Sequence, residues 1–200
     1  MAIAAVGGFG ASAFAQDTLP VQKPIRVKLG GVFTGNKVDA VGTSDNISYL
    51  FNVGVAYDFS KTTATQPLIV NAYADFNTGS KSKNTGAFGN VKATATNFDI
   101  GVAGRYLLTP ATAPGGHPYA ELGIGLYNIG LKIDQAGFGS KTKNEVKLGG
   151  KLALGYEMTN GLFGEFEYTL VDKLKKDFYG TGVNTSYDPS GLKASLGFRF

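Results

Sequence analysis

Apolar residues recur at every second position in eight separate stretches of this chain. Because successive side chains of a β-strand point to opposite faces, this spacing predicts strands with one apolar and one polar face, and helical spacing is hard to find. In the last stretch, apolar residues alternate with small or charged ones: Leu192, Lys193, Ala194, Ser195, Leu196, Gly197, Phe198, Arg199 and Phe200. The fold class is therefore expected to be all-β.

The eight stretches have the number, length and spacing of strands that cross a membrane. They cover residues 24–35, 47–59, 67–77, 94–108, 118–131, 145–158, 161–171 and 192–200. Most span about 10–14 residues, which suits a tilted strand in the hydrocarbon layer. Short connections (60–66, 109–117, 159–160) alternate with long ones (36–46, 78–93, 132–144, 172–190). This pattern predicts an eight-stranded antiparallel up-and-down transmembrane β-barrel with both termini in the periplasm.

The composition is compatible with such a barrel and excludes several other classes. Hydrophobic residues make up 43% of the chain, the mean hydropathy is −0.02, and no apolar run is long enough for a transmembrane helix. Barrel strands average to near-neutral hydropathy because their two faces differ. The absence of cysteine excludes disulfides, thiolate metal sites and cysteine nucleophiles. A net charge of +4 does not by itself indicate a nucleic-acid partner.

The first fifteen residues are expected to be a signal peptide. The segment 3–14 is apolar, and Ala13-Phe14-Ala15 has the small residues of a cleavage site. No Lys or Arg precedes the apolar segment, which suggests that the true start lies upstream of Met1. Residues 16–23 are then a periplasmic N-terminal segment, and residues 24–200 form the barrel.

Aromatic residues on the apolar faces fall into two groups, one near each end of the strands. The group near the short turns comprises Tyr57, Tyr106, Tyr156, Phe198 and Phe200, and the group near the long loops comprises Phe33, Tyr49, Phe76, Phe98 and Tyr168. Mostly Val, Leu, Ile and Ala lie between them. Two aromatic rings around an aliphatic band are typical of the interfaces of a membrane barrel.

Two segments carry a resemblance to a known family: residues 119–125 (YAELGIG) and the terminal residues 197–200 (GFRF). With the strand pattern, they make residues 24–200 resemble the small eight-stranded outer-membrane β-barrels of the OmpA and OmpX type. The resemblance implies a structural or surface-interaction role. It also implies insertion by the barrel assembly machinery, which reads the last strand, with Phe198 and Phe200 as the assembly signal.

The polar faces would meet in an interior that is just wide enough for side chains to fill. Buried charges must be paired, so a salt-bridge network that plugs the lumen is expected. The charged residues assigned to it are Arg26, Lys28, Asp58, Asp75, Asp99, Arg105, Glu121, Lys147, Lys151, Glu157, Glu165, Glu167, Lys193 and Arg199. Inward glycines such as Gly155 would make room for long neighbours. A narrow pore or small-molecule conduit of the OmpW kind is the alternative, and an apolar lining would favour it.

The sequence predicts no enzyme, cofactor or metal site. Glu165 and Glu167 share a face, but this spacing is automatic on the polar side of a strand. His117, the single histidine, lies in a Pro/Gly-rich turn with no expected nucleophile and orienting acid. No His and Asp/Glu cluster has the spacing of a transition-metal site.

The long loops are basic and are the expected contacts of the barrel with its surroundings. Candidates for binding anionic lipopolysaccharide head groups are Lys81, Lys83, Lys141, Lys143, Lys173, Lys175 and Lys176. Phe178, Tyr179 and Tyr187 could anchor an extracellular partner. A monomeric surface barrel for adhesion or envelope stabilisation is thus the leading function. Alternation alone does not tell inside from outside, so a soluble lipocalin-like ligand-binding barrel stays open.

Overall fold

The computed structural model describes residues 23–33, 37–40, 43–47, 50–60, 67–84, 89–109, 115–178 and 184–200. The signal peptide expected at residues 1–15 lies outside the described residues, as do Tyr49 and Tyr179. Within these ranges no helix is long and apolar enough to span a membrane.

The described chain consists of β-strands and their connections. The strands are β1 Ile25–Val32, β2 Lys37–Ala40, β3 Thr43–Asn46, β4 Leu50–Asp58, β5 Leu68–Asn84, β6 Asn90–Leu107, β7 His117–Gln135, β8 Gly139–Glu157, β9 Leu162–Val171, β10 Leu174–Asp177, β11 Asn184–Asp188 and β12 Gly191–Arg199. Eight of them close into an antiparallel barrel in the order β1-β12-β9-β8-β7-β6-β5-β4. The other four form a small sheet in the order β10-β11-β2-β3. The eight-stranded antiparallel barrel expected from the sequence is confirmed.

The first and last barrel strands close the ring against each other. Arg26 lies opposite Arg199 and Val32 lies opposite Lys193 in the β1–β12 ladder. Beyond this ladder, the Phe200 amide donates to the Ile25 carbonyl at 2.7 Å, and the Ile25 amide donates back at 3.3 Å. Closure pairs the backbone groups that would be unsatisfied edges in lipid.

Alternation turns the apolar side chains outward and the charged ones inward. Leu122 is 69% exposed, whereas its neighbour Glu121 is 1% exposed, and Phe166 is 64% exposed between the buried Glu165 and Glu167. The lipocalin arrangement would need the apolar face inside, so it is excluded by this orientation.

The barrel wall is much taller on one side than on the other. Strands β5, β6, β7 and β8 have 17, 18, 19 and 19 residues, whereas β1, β4, β9 and β12 have 8, 9, 10 and 9. The β5–β6 ladder continues to Asn84 opposite Asn90, and the β7–β8 ladder continues to Gln135 opposite Gly139. The long loops expected at 78–93 and 132–144 are therefore mostly strand. The pattern missed them because above the membrane neither face needs to be apolar.

The small four-stranded sheet covers the mouth of the barrel at the end toward which β5, β6, β7 and β8 extend. Leu174, Phe178 and Tyr187 are buried against interior residues that include Ile129 and Leu131. Ile47 also lies in this apolar cluster and is 2% exposed. The expectation that Ile47 lies on the outer face of a strand is wrong, because β4 begins only at Leu50. We call this sheet, together with Ile47 and Phe178, the cap.

Inside the barrel, large rings lie against glycines. A Cβ built on Gly155 would collide with the Tyr119 ring, and one built on Gly197 would collide with the Phe163 ring. A Cβ on Gly101 or on Gly125 would approach the Tyr73 hydroxyl to 2.6 Å. The inward glycines thus supply the volume that aromatic neighbours occupy.

This packing predicts that Gly155→Ala destabilises the barrel by about 1–3 kcal/mol, the usual cost of overpacking. Gly164→Ala is the matched control, because Gly164 faces outward and an added Cβ meets only Leu196 at 3.5 Å. Its free energy of unfolding should be unchanged or slightly higher. Urea unfolding in lipid vesicles followed by circular dichroism measures both, since the chain has no tryptophan. Equal losses in the two variants would contradict the packing argument.

Candidate functional site

At the short-turn end of the interior, two arginines share two carboxylates. Arg105 Nη2 lies 2.8 Å from Asp58 Oδ2, and Arg199 Nη2 lies 3.0 Å from the same oxygen. Glu157 joins from β8, with Oε1 2.7 Å from Arg199 Nε and Oε2 3.4 Å from Arg105 Nη1. The Arg105 guanidinium also lies 5.3 Å above the Tyr119 ring. These two cations and two anions balance each other.

In the middle of the interior, carboxylates on β7 and β9 bind cations from β1 and β8. Arg26 Nη2 and Lys151 Nζ each lie 2.8 Å from an oxygen of Glu121. Lys28 Nζ lies 2.9 Å from Glu165 Oε1 and 2.8 Å from Oε2 of Glu167, two residues further along β9. Ion pairs this close, with side chains no more than about a tenth exposed, meet the requirement that buried charges be compensated.

Towards the cap, the network becomes less tightly paired. Glu167 is held by Lys28 and Lys193, both at 2.8 Å. Asp75 lies 3.3 Å from Lys28, and Asp99 lies 3.8 Å from Lys193. Both aspartates are 1% exposed.

All of the charged residues assigned to the lumen except Lys147 take part in this network. Lys147 has the same strand parity, but it lies above the point where β9 stops pairing with β8 at Gly149. Its Nζ donates to the Lys173 carbonyl at 2.6 Å and lies 3.9 Å from Glu145. Assigning Lys147 to the lumen network is therefore wrong, because at this height the barrel is open on the side of β9.

Uncharged polar residues, which the pattern of charges did not indicate, complete the network. Tyr119 donates to Glu165 at 2.9 Å, and Asn71 donates to Glu121 at 3.2 Å. Asn52 donates to Asn77 at 2.8 Å near the cap. All have inward strand parity, which is the signal that could have identified them.

None of the residues considered for catalysis lies in a catalytic arrangement within the described chain. Glu165 and Glu167 are both tied to Lys28. His117 Nδ1 lies 3.3 Å from the Thr109 hydroxyl at the short-turn end. No group of three or more His, Cys, Asp or Glu residues in the described ranges could hold a metal ion.

Two aromatic residues expected to face a partner are buried in the cap. Phe178 is 4% exposed and Tyr187 is fully buried. The Tyr187 hydroxyl accepts a hydrogen bond from Asn97 at 2.9 Å, and burial raises the pKa of this hydroxyl. The expectation that they anchor an extracellular partner is wrong, because the connection that carries them folds back over the barrel mouth.

The basic residues lie around the end of the barrel that carries the cap, but they face different directions. Lys81, Lys83, Lys141 and Lys143 are exposed and have the parity of the interior face, so they border the space beside the cap. Lys173 lies 3.4 Å from Asp188, Lys176 lies 3.5 Å from Glu145, and Lys175 is exposed on β10. Lys92 and Lys132, two further basic residues of the same long connections, have the parity of the lipid-facing side chains. We call Lys92 and Lys132 the perimeter lysines and the four on the interior face the inner lysines.

Comparisons with known proteins give one family and several structural neighbours. The family described as "Outer membrane protein beta-barrel domain" matches residues 1–200. No curated protein matches the sequence. Among solved structures, Ail, the attachment invasion locus protein of Yersinia pestis, has 12% identity and a TM-score of 0.45 over 90% of this chain and 100% of its own. Neisserial surface protein A has 13% identity and a TM-score of 0.47 over 88% of this chain and 96% of its own. The N-terminal barrel of Pseudomonas aeruginosa OprF has 13% identity and a TM-score of 0.43 over 90% of this chain and 98% of its own.

The ion-pair network predicts a large effect for Glu121→Gln. The substitution removes the charge that holds Arg26 and Lys151 and should lower the free energy of unfolding by about 3–5 kcal/mol. Glu145→Gln is the control, because the Glu145 side chain is 34% exposed and its nearest cation is 3.5 Å away. Its loss should stay below about 1 kcal/mol. Urea unfolding in lipid vesicles measures both variants. Small and similar losses of unfolding free energy in the two variants would contradict a structural role for the network.

Proposed function

We propose that this chain, which belongs to the outer membrane protein beta-barrel domain family, is a closed surface barrel that strengthens the bacterial outer membrane and presents a basic extracellular rim. The family sets its location in the outer membrane. The observation that carries the proposal is the double filling of the interior, by the ion-pair network in the lumen and by the apolar cap above it. A barrel whose interior is filled in this way can act as a structural element of the membrane and through its outer surface.

The conduit alternative is disfavoured by the space that remains inside. Two cavities inside the described part of the barrel have volumes of about 10 Å³ each, roughly the room for one water. Charged side chains line both, including Lys193 in one and Glu121 in the other. A small-molecule conduit of the OmpW kind would need a continuous apolar lining.

The perimeter lysines support contact with lipopolysaccharide. Lys92 and Lys132 share the outer face of β6 and β7 with lipid-facing residues such as Phe98, but they lie several residues closer to the hairpin tips. Anionic head groups surround an outer-membrane barrel at this height and attract cations. The short-turn end and both termini then face the periplasm, and β12, with Phe198 and Phe200, is the strand offered to the assembly machinery.

Adhesion is a second candidate function, and the inner lysines favour it. Lys81, Lys83, Lys141 and Lys143 are exposed on the tall wall beside the cap, away from the surrounding lipid. An acidic extracellular partner could therefore reach them without displacing lipopolysaccharide. The exposed Phe138 at the tip of the β7–β8 hairpin would add an apolar contact.

A closed barrel predicts little or no conductance in planar bilayers. Purified protein should give no stable channels, because moving an ion would require breaking buried ion pairs. Unheated gel mobility verifies that the reconstituted protein is folded. Large, stable single-channel steps from folded protein would refute the closed-barrel proposal.

The perimeter proposal predicts different effects for two pairs of charge reversals on the tall wall. Lys92→Glu with Lys132→Glu should weaken lipopolysaccharide binding by roughly 30-fold, since each basic residue near an anionic membrane surface contributes about 1 kcal/mol. Lys81→Glu with Lys83→Glu changes the charge equally but on the inner face, so binding should be nearly unchanged. Co-purification and titration with lipopolysaccharide vesicles measure both. Equal effects would mean that net charge alone matters.

A further inference from the structure

Away from the balanced group at the short-turn end, the described residues place one carboxylate more than cations in the interior. The remaining cations are Arg26, Lys28, Lys151 and Lys193, and the remaining carboxylates are Asp75, Asp99, Glu121, Glu165 and Glu167. All of them are buried. An uncompensated charge in such a site is strongly unfavourable, so the surplus must be neutralised or stabilised by a further group.

The surplus falls on the two aspartates nearest the cap. Each of the three glutamates has a cation within 2.9 Å. For Asp75 and Asp99 the nearest cations lie at 3.3 Å and 3.8 Å. Among the described protein atoms, neither Asp75 oxygen receives a hydrogen bond, and neither does Asp99 Oδ2.

The strand register places these two residues side by side on the inner face of the barrel. Asp75 on β5 is directly opposite Asp99 on β6. Residues opposite each other have Cβ atoms about 4.5–5.5 Å apart, and like charges in such a pair repel. Asn77 donates to Asp99 Oδ1 at 3.3 Å, which leaves Oδ2 as the oxygen without a donor.

A single proton meets both requirements of this pair. A water molecule would donate hydrogen bonds but would leave the charge unchanged. A divalent cation would overcompensate by one charge and would lie beside two lysines. A carboxyl group that shares one proton with a neighbouring carboxylate neutralises the surplus and supplies the missing donor.

We propose that Asp75 and Asp99 form a proton-binding pair, with Asp99 Oδ2 donating the shared proton to Asp75 at neutral pH. Lys28 from β1 lies 3.3 Å from Asp75, and Lys193 from β12 lies 3.8 Å from Asp99. Glu167 from β9 lies 2.8 Å from both lysines, and Lys151 from β8 lies 3.6 Å from Glu167. Tyr127 is opposite Asp99 in the β6–β7 ladder, and its hydroxyl lies 3.3 Å from that of Tyr73. The pair lies inside the barrel, so its protonation does not depend on what the extracellular rim binds.

Neutral replacements test the pair against a fully compensated carboxylate. Asp99→Asn mimics the protonated acid, so the urea midpoint of the barrel in lipid vesicles should be unchanged or higher. Glu121→Gln should lower the midpoint. The double variant Asp75→Asn with Asp99→Asn leaves one cation in excess and should also lower it. A loss for Asp99→Asn as large as that for Glu121→Gln would overturn the proposal.

The shared proton also has its own signature. Infrared spectra of the folded wild type at neutral pH should contain the carbonyl stretching band of a protonated carboxyl group. That band should be absent from Asp99→Asn and retained in Glu145→Gln, which lies outside the network. A wild-type spectrum without this band would count against the proposal regardless of how stable the variants are.

The pH dependence and ion dependence complete the test. A proton held by the folded state is lost as the pH rises, so the wild-type midpoint should fall from neutral to alkaline pH, and Asp99→Asn should lack that fall. Replacing sodium by choline at constant ionic strength should leave the wild-type midpoint unchanged. A midpoint that requires sodium would assign the pair to a metal cation and overturn the proton.

Discussion

The hydrogen-bonding demand of the polypeptide backbone in lipid controls this structure. Hydrocarbon cannot satisfy amide and carbonyl groups, so the strands must pair in a closed ring, and β1 meets β12 to complete it. Closure divides the side chains into an outer set that faces lipid and an inner set that faces a narrow space. The strict alternation of the sequence is the local form of this demand.

Closure with eight strands compels the inner residues to satisfy one another. The interior is too narrow for bulk water, so its charges pair across the barrel and its aromatic rings lie against glycines. Volume and charge are thus compensated in the same space. Compensation is complete near the short turns, where Arg105 and Arg199 balance Asp58 and Glu157, and incomplete near the cap.

The extracellular half of the molecule follows different rules, because both faces of its strands can meet water. The hairpins of the tall wall extend beyond the lipid-facing band, and polar residues on both faces make their parity hard to see in sequence. Parity still operates there, and it separates the perimeter lysines from the inner lysines. Two chemically similar groups of cations therefore present themselves to different surroundings. The cap uses the apolar residues of the other two connections to close the mouth.

Local pattern was sufficient to predict the barrel, its eight strands and the inward or outward facing of residues such as Glu121 and Leu122. These properties depend on a period of two, which is readable along a single strand. Partners were not readable: Arg26 meets Glu121 across 95 residues and Lys28 meets Glu167 across 139. The register of closure decides such pairs, as it decides that Asp75 lies opposite Asp99 and that Lys147 lies above the network. The cap, with Ile47, Phe178 and Tyr187 turned inward, was likewise decided by tertiary structure, because an apolar residue in a connection can be buried only where the folded chain supplies a surface to cover it.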